Sequence, residues 1–214
     1  MVAFDVDGTI FSSESIIFKT YVQAIEEFAT KTGNITKLPS HDEIMLQIGK
    51  PVREIFLNLF PNLSEIEREG ISARVLELLC DSIRNGGGDF YAGVGSTIHY
   101  LKEKGYAITC ASNGRRAYVE TVLETAGVLA YFEPIIVINQ ESICTKGDII
   151  AEYIKKYHYS ADSIVLIGDR YSDWEAARNN GIRFAFCSYG HATAGEIPDY
   201  DWEIQELQSL KEFF

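Results

Sequence analysis

Two carboxylates one residue apart, at the end of the apolar run Val2-Ala3-Phe4, are placed for charge chemistry rather than packing: Asp5-Val6-Asp7-Gly8-Thr9. Side chains alternate along an extended chain, so Asp5 and Asp7 share one side, and a turn at Gly8 lets their heads converge on one bound group. Like charges this close repel, and a divalent cation or a proton held by one of them removes the conflict. Asp5 can then attack phosphorus, while Asp7 gives a proton to the leaving oxygen and later takes one from water. Gly8 and Thr9 offer backbone N–H groups and a hydroxyl to a phosphate. Taken alone, the segment also fits an acidic turn after a core strand.

Three further constellations follow. Ser112-Asn113-Gly114 combines a small hydroxyl, an amide side chain and backbone N–H groups that can hold phosphate oxygens at a helix start, although the same triplet is an ordinary turn. Thr145-Lys146-Gly147 puts a cation at a helix N-terminus, where it is generally unfavourable. Its ammonium can hold Asp5 in the attacking position and neutralise the transferring group, or it can be a solvated surface lysine. Last comes Gly168-Asp169-Arg170-Tyr171-Ser172-Asp173, two carboxylates four residues apart after an apolar run. An oxygen-only donor set suits Mg²⁺, with Asp169 at the strand end and Asp173 either a second ligand or a helix N-cap.

These residues need elements that bring them together. Apolar strand-like runs lie at Val2–Val6, Tyr106–Ala111, Pro134–Ile138, Ser163–Ile167 and Arg183–Cys187. Tyr118, Val119, Val122 and Leu123, and Ile149, Ile150, Tyr153 and Ile154, have the i, i+3, i+4 spacing of buried helix faces. Strands buried on both faces and alternating with helices make a doubly wound parallel α/β sheet, whose ligands bind at the carboxyl ends of the strands. About a hundred residues separate the first two strands, where a crossover needs about a dozen. Ile16, Ile17, Tyr21, Val22, Ile25 and Phe28 form one helix face there, with further patterns at Val52–Phe60 and Ser64–Ile83. We therefore expect a helical domain over 13–84, inserted into an α/β core of 1–12 and 85–214, with Asn85-Gly86-Gly87-Gly88 as a hinge.

The chain has 214 residues, 46% of them hydrophobic, enough for one domain with an insertion. Its apolar runs are shorter than the ~18 residues that cross a bilayer, and its first residues lack a basic region followed by an apolar stretch. Four scattered cysteines without CxxC spacing point to reduced thiols in the cytoplasm. A net charge of −12 disfavours a nucleic-acid partner. A phosphate ester then needs local positive charge, from a metal, a lysine, an arginine or helix N-termini.

In order, DVDGT, SNG, TKG and GDRYSD resemble the four signature motifs of the haloacid dehalogenase superfamily, and they span essentially the whole chain. The helical insert directly after the first motif resembles the cap of its phosphoglycolate phosphatase and β-phosphoglucomutase branch. The resemblance implies Asp5 as nucleophile, Asp7 as general acid/base, Ser112 and Lys146 as phosphoryl-binding groups, and Mg²⁺ held by Asp5, the Asp7 carbonyl and Asp169, with Asp173 in the same acidic motif. It also implies phosphohydrolase activity on a small phosphorylated metabolite. Gly49-Lys50-Pro51-Val52-Arg53 resembles a cap segment of related enzymes, which makes Arg53 a candidate for holding a second phosphate or a carboxylate. Tyr189-Gly190-His191, followed by Pro198-Asp199-Tyr200, and the glycine after Lys146 resemble the phosphatase side of the branch, with His191 a candidate pocket residue. A mutase that returns the phosphoryl group to a sugar would use the same six residues. A phospho-acceptor domain of the response-regulator kind would need no insert and would carry its acceptor on a later strand.

Overall fold

Short runs of residues buried on both faces become the strands of one sheet in the computed structural model, which describes residues 1–35, 37–139 and 141–214. In chain order the elements are β1 (Val2–Phe4), β2 (Phe11–Ser12), α1 (Glu14–Thr32), α2 (His41–Met45), α3 (Val52–Leu59), α4 (Glu65–Arg84) and β3 (Asp89–Phe90). They continue as α5 (Val94–Glu103), β4 (Ile108–Cys110), α6 (Arg116–Thr125), α7 (Lys146–Tyr157), β5 (Val165–Gly168), α8 (Tyr171–Asn179), β6 (Arg183–Cys187) and β7 (Trp202–Ile204). By internal contacts the chain divides into one unit of Met1–Ser12 with Phe90–Phe214 and another of Ser13–Asp89.

In the first unit five strands lie in the order β4-β1-β5-β6-β7, every pairing parallel. Phe4 of β1 is level with Cys110 of β4 and Ile167 of β5. Asp5 and Ala111 therefore leave the sheet at its carboxyl end, level with Gly168, the last residue of β5, and Asp5 N–H still donates to the Ile167 carbonyl at 2.9 Å. Alternation sends Ala3, Leu166 and Phe184 to one face, where they pack with Ile149, Ile150 and Tyr153 of α7 and Ala176 and Ala177 of α8. Burying each large member of that cluster is worth about 1.5–3 kcal/mol, so the sheet's site-bearing edge rests on a rigid base.

One expected strand is absent. Residues 134–138 form no strand, and the fifth position in the sheet is taken by β7. The segment starts to pair, with Glu133 N–H donating to the Ile108 carbonyl at 2.8 Å. Pro134 then has no N–H to give. The Tyr153 hydroxyl meets two of the segment's groups, donating to Pro134 O at 3.1 Å and accepting from Ile136 N–H at 3.0 Å.

The second unit is helical. α1 packs on α4 and is tied to it by Arg74 and Glu27, 2.7 Å apart, and Tyr21 stacks on Phe56 of α3 with ring centroids 5.6 Å apart. Ser40 and Ser64 start α2 and α4 with capping boxes closed by Glu43 and Glu67. Ile16, Ile17, Tyr21 and Ile25 are buried as the spacing predicts, but Val22 and Phe28 are only half-buried, and Ala24 completes the face. Among the described residues no helix is long and apolar enough to cross a membrane, and none of the four cysteines is in a disulfide.

Candidate active site

The turn after β1 is closed by its own backbone. Val6 O accepts from Ile10 N–H at 2.9 Å and Phe11 N–H at 3.0 Å, while Gly8 N–H donates to Phe11 O at 2.9 Å. Gly8 sits at φ +81°, and a Cβ there would lie 2.0 Å from Asp169 Oδ2. Only glycine meets both demands. Gly190 also lies against Asp169, since a Cβ added there would come within 2.6 Å of both Asp169 Oδ2 and the Gly8 carbonyl oxygen. The N–H groups of Gly8 and Thr9 both donate within the turn, while the buried Thr9 hydroxyl has no hydrogen-bond partner.

Lys146 is brought in from α7. Thr145 caps that helix, accepting from Asp148 N–H at 3.1 Å while Asp148 Oδ2 accepts from Thr145 N–H at 2.9 Å. With the helix start secured this way, the Lys146 chain runs inward and is only 3% exposed. Its Nζ lies 2.9 Å from Asp5 Oδ2 and 2.7 Å from Asp173 Oδ1. Asp173 is the third residue of α8 rather than its N-cap, and its second oxygen, Oδ2, accepts from Arg170 N–H at 3.0 Å. Asp169 Oδ2 accepts from His191 N–H at 2.6 Å, so the contact of His191 with the cluster runs through its backbone.

Burial dominates the titration of this group. It pushes the Asp5 carboxyl well above its usual range; the Asp173 charge adds to this and the Lys146 ammonium opposes it. Burial, then Asp173, push Asp169 up to about 7. Burial works against charge on Lys146 too, but the carboxylates of Asp173 and Asp5 outweigh it and hold the ammonium above its ordinary pKa.

The residues fit a hard divalent cation. Asp5, Asp169 and Asp173 each present one oxygen, and these lie within 4.8 Å of one another. Asp169 Oδ1 is buried without a hydrogen-bond partner. Three carboxylates against one ammonium leave a formal surplus of two negative charges, which Mg²⁺ or a similar all-oxygen-liganded ion would neutralise. The Asp7 carboxylate lies outside this trio and accepts from the Tyr118 hydroxyl at 2.6 Å.

Of the other candidates, Ser112 is buried with its Oγ accepting from Gly114 N–H at 3.0 Å, and Asn113 is half-buried beside it. Arg53 belongs to the helical unit, on α3, where its guanidinium lies 2.8 Å from Glu65. Tyr118 and Gly190 were not singled out as site residues by their sequence context. The spacing around Tyr118 marks only a buried helix face, and 111 residues separate it from Asp7.

Without metal, the folded protein holds protons on Asp169 and Asp5 at a pH where the unfolded chain has released them. Stability from this source is full below the unfolded carboxylate range and is lost as pH rises through about 7. Glu43, Glu67 and Asp148 are held below their ordinary values and titrate beneath this window. Metal-free protein should therefore melt at progressively lower temperature from pH 5.5 to 8, and stabilisation by added Mg²⁺ should grow over the same range, because the ion takes the deprotonated trio. Melting curves independent of pH, with or without Mg²⁺, would count against a metal at these three carboxylates.

A family model described as haloacid dehalogenase-like hydrolase matches residues 2–187. The phosphoglycolate phosphatase of Vibrio vulnificus (strain CMCP6) is 25% identical over 214 residues, covering 94% of this chain and 90% of that protein. The pyrophosphatase PpaX of Listeria welshimeri is 25% identical over 177 residues, 82% of this chain and 77% of that one. Among solved structures, a predicted phosphoglycolate phosphatase from Haemophilus somnus 129PT superposes with a TM-score of 0.84 at 18% identity, covering 100% of this chain and 96% of that chain. CbbY from Rhodobacter sphaeroides, in complex with phosphate, gives 0.79 at 17% identity over 98% and 95%. At such identities the solved structures establish the parallel fold alone.

Proposed function

Because the chain belongs to the haloacid dehalogenase-like hydrolases, we propose that it is a Mg²⁺-dependent phosphatase that carries the phosphoryl group on Asp5 and acts on a small phosphorylated metabolite. The observation that carries this reading is the setting of Asp5: 3% exposed, at the carboxyl end of the interior strand β1, 2.9 Å from Lys146 and beside Asp169 and Asp173. A buried carboxylate so arranged is a nucleophile held in place, not a solvated surface charge.

The Asp5 oxygen attacks phosphorus and the bond from phosphorus to the ester oxygen breaks, with Asp7 giving its proton to that oxygen as it leaves. Water then attacks the phosphorus of the acyl phosphate and yields a proton to Asp7, which releases inorganic phosphate and restores the Asp5 carboxylate. Lys146 fixes Asp5 against Asp173 and stabilises charge on the transferring group, with Ser112, Asn113 and Gly114 as further phosphoryl contacts. Asp5, Asp169 and Asp173, with the Asp7 carbonyl that the resemblance adds, would hold Mg²⁺, which when bound supplies neutralising charge to the carboxylates and phosphoryl oxygens. The helical unit takes the role of a cap, and Arg53 that of its contact for a second anionic group on the substrate. Phosphoglycolate and pyrophosphate lead the candidate substrates, since relatives carry those names. In this reading the enzyme works in the cytoplasm.

The test is phosphate release from phosphoglycolate, sugar phosphates, nucleotides and pyrophosphate, with Mg²⁺ and with chelator. Release that needs Mg²⁺ is the expected result. Release undiminished by chelator, or none from any substrate, would overturn the proposal.

A further inference from the structure

We propose that Glu196 is a positioning residue for the metal site: its carboxylate ties the loop that touches Asp169 to the helix start that carries Asp173, and so sets the spacing of those two ligands. The inference rests on the reading of Asp5, Asp169 and Asp173 as a Mg²⁺ site and adds to it a residue outside the four motifs.

The first N–H groups of a helix need acceptors from outside it. In α8 the N-cap residue is Arg170, which makes no side-chain cap bond and has no acceptor to offer. Asp173 Oδ2 takes the Arg170 N–H at 3.0 Å, and the next donor, Tyr171 N–H, goes to Glu196 Oε1 at 2.9 Å. The same Glu196 oxygen accepts from Arg170 Nε at 2.7 Å. A carboxylate is the favoured charge at a helix N-terminus. Glu196 lies 25 residues beyond Tyr171, so the turn between Asp169 and Asp173 is held from another part of the chain.

The second oxygen holds a loop. Glu196 Oε2 accepts from Thr193 N–H at 3.1 Å and from the Thr193 hydroxyl at 3.3 Å, while Glu196 N–H donates to Thr193 O at 3.0 Å. These bonds close the far end of the loop at 188–196, whose near end is held by Ser188 N–H on Ile204 O at 3.0 Å. Between the two ends His191 N–H donates to Asp169 Oδ2 at 2.6 Å. With Oδ2 taken, Asp169 Oδ1, buried and without a hydrogen-bond partner, is the oxygen left for an ion. One side chain, 14% exposed, thus acts on both ligands: on Asp173 through the start of α8, and on Asp169 through the loop.

The two common hard cations respond differently to such control. Mg²⁺ demands a near-ideal octahedron of oxygens at ~2.0–2.1 Å, whereas Ca²⁺ accepts irregular sets at ~2.3–2.6 Å. Ligands that lose their spacing therefore discriminate against Mg²⁺, while a lost charge or a smaller folded fraction weakens both ions alike. An amide has one acceptor oxygen where a carboxylate has two, so Glu196→Gln can serve the helix start or the loop but not both.

The measurement is calorimetric titration of the metal-free protein with Mg²⁺ and with Ca²⁺ at pH 8, in wild type, Glu196→Gln and Asp169→Asn. The Mg²⁺ dissociation constant is expected to rise about tenfold or more in Glu196→Gln, the scale found when a partner of a metal ligand is removed. The Ca²⁺ constant should rise about threefold or less. A Mg²⁺ constant within about threefold of wild type, or equal losses for the two ions, would overturn the inference. If Glu196→Gln folds poorly, Glu196→Asp, which keeps the charge and shortens the reach by one methylene, carries the same readout. Wild-type protein that binds neither ion, or Asp169→Asn that binds Mg²⁺ as wild type does, would overturn the metal site itself, and this inference with it.

Discussion

Asp5→Asn should fold, should melt at or above the wild-type temperature in the absence of metal, and should release no phosphate. The amide is isosteric with the carboxylate but is no nucleophile, so the loss in kcat should reach about 10⁴ or more, the scale seen when a covalent nucleophile is removed. The stability prediction has the opposite sign for a definite reason. Burial is the largest influence on Asp5 and disfavours its ionised form, and the Asp173 charge disfavours it further. A neutral side chain of the same shape avoids both costs, while Lys146 keeps its contact to Asp173 at 2.7 Å. Residues that are costly to fold and indispensable to turnover mark sites where activity and stability conflict. Acid-quenched single turnovers should show a phosphoryl adduct on the peptide carrying Asp5 in wild type and none in the variant. An inactive variant that is also grossly destabilised would instead make Asp5 a structural residue, and one retaining more than about a thousandth of wild-type turnover would remove it as the nucleophile.

Much of this arrangement was legible because of where the strands lie. β1 and β5 sit inside the sheet, and β4, although at the edge opposite β7, is as fully buried, so all three read as mostly apolar runs. β6 was legible end to end, from Arg183 to Cys187. β7 is at the edge, with Trp202 half-buried and Glu203 exposed, and three residues of that kind leave no pattern to detect. The apolar run at 134–138 misled for a different reason: hydrophobicity does not reveal that Pro134 lacks a donor or that the Tyr153 hydroxyl stands ready to take the segment's groups. At the site, residue types at strand ends could be read directly, since a parallel sheet delivers consecutive strand ends to one edge. Contacts made by tertiary approach could not. The positions of Gly190 against Asp169 and of Tyr118 against Asp7 depend on how loops and helices return to that edge, which no local spacing encodes.

Lys146→Met tests the electrostatic half of the site. Methionine is unbranched and close to lysine in length, so the space is filled, and the Thr145 and Asp148 capping box that starts α7 does not involve the substituted side chain. What is lost is the one ammonium 2.9 Å from Asp5 and 2.7 Å from Asp173. Removing one partner of a buried charge group leaves the others uncompensated, at a cost of about 3–5 kcal/mol when they are ionised. The carboxylates can escape that cost by binding protons. Metal-free Lys146→Met should therefore be strongly destabilised at pH 8 and much less so at pH 5.5, with urea midpoints as the readout. Added Mg²⁺ should restore part of the stability at pH 8 by supplying positive charge to the same oxygens. It should not restore kcat, which is expected to fall by about 10² or more, because a cation elsewhere in the cluster cannot take up the place where Lys146 steadies Asp5 and meets the transferring group. Near-normal turnover would sink the assignment of Lys146 to the phosphoryl-transfer step, while a pH-independent destabilisation would mean that the side chain contributes packing rather than charge. Stability and turnover thus separate the two contributions of one residue: its charge offsets the repulsion among the buried carboxylates, and in the proposed reaction its position holds Asp5 for attack.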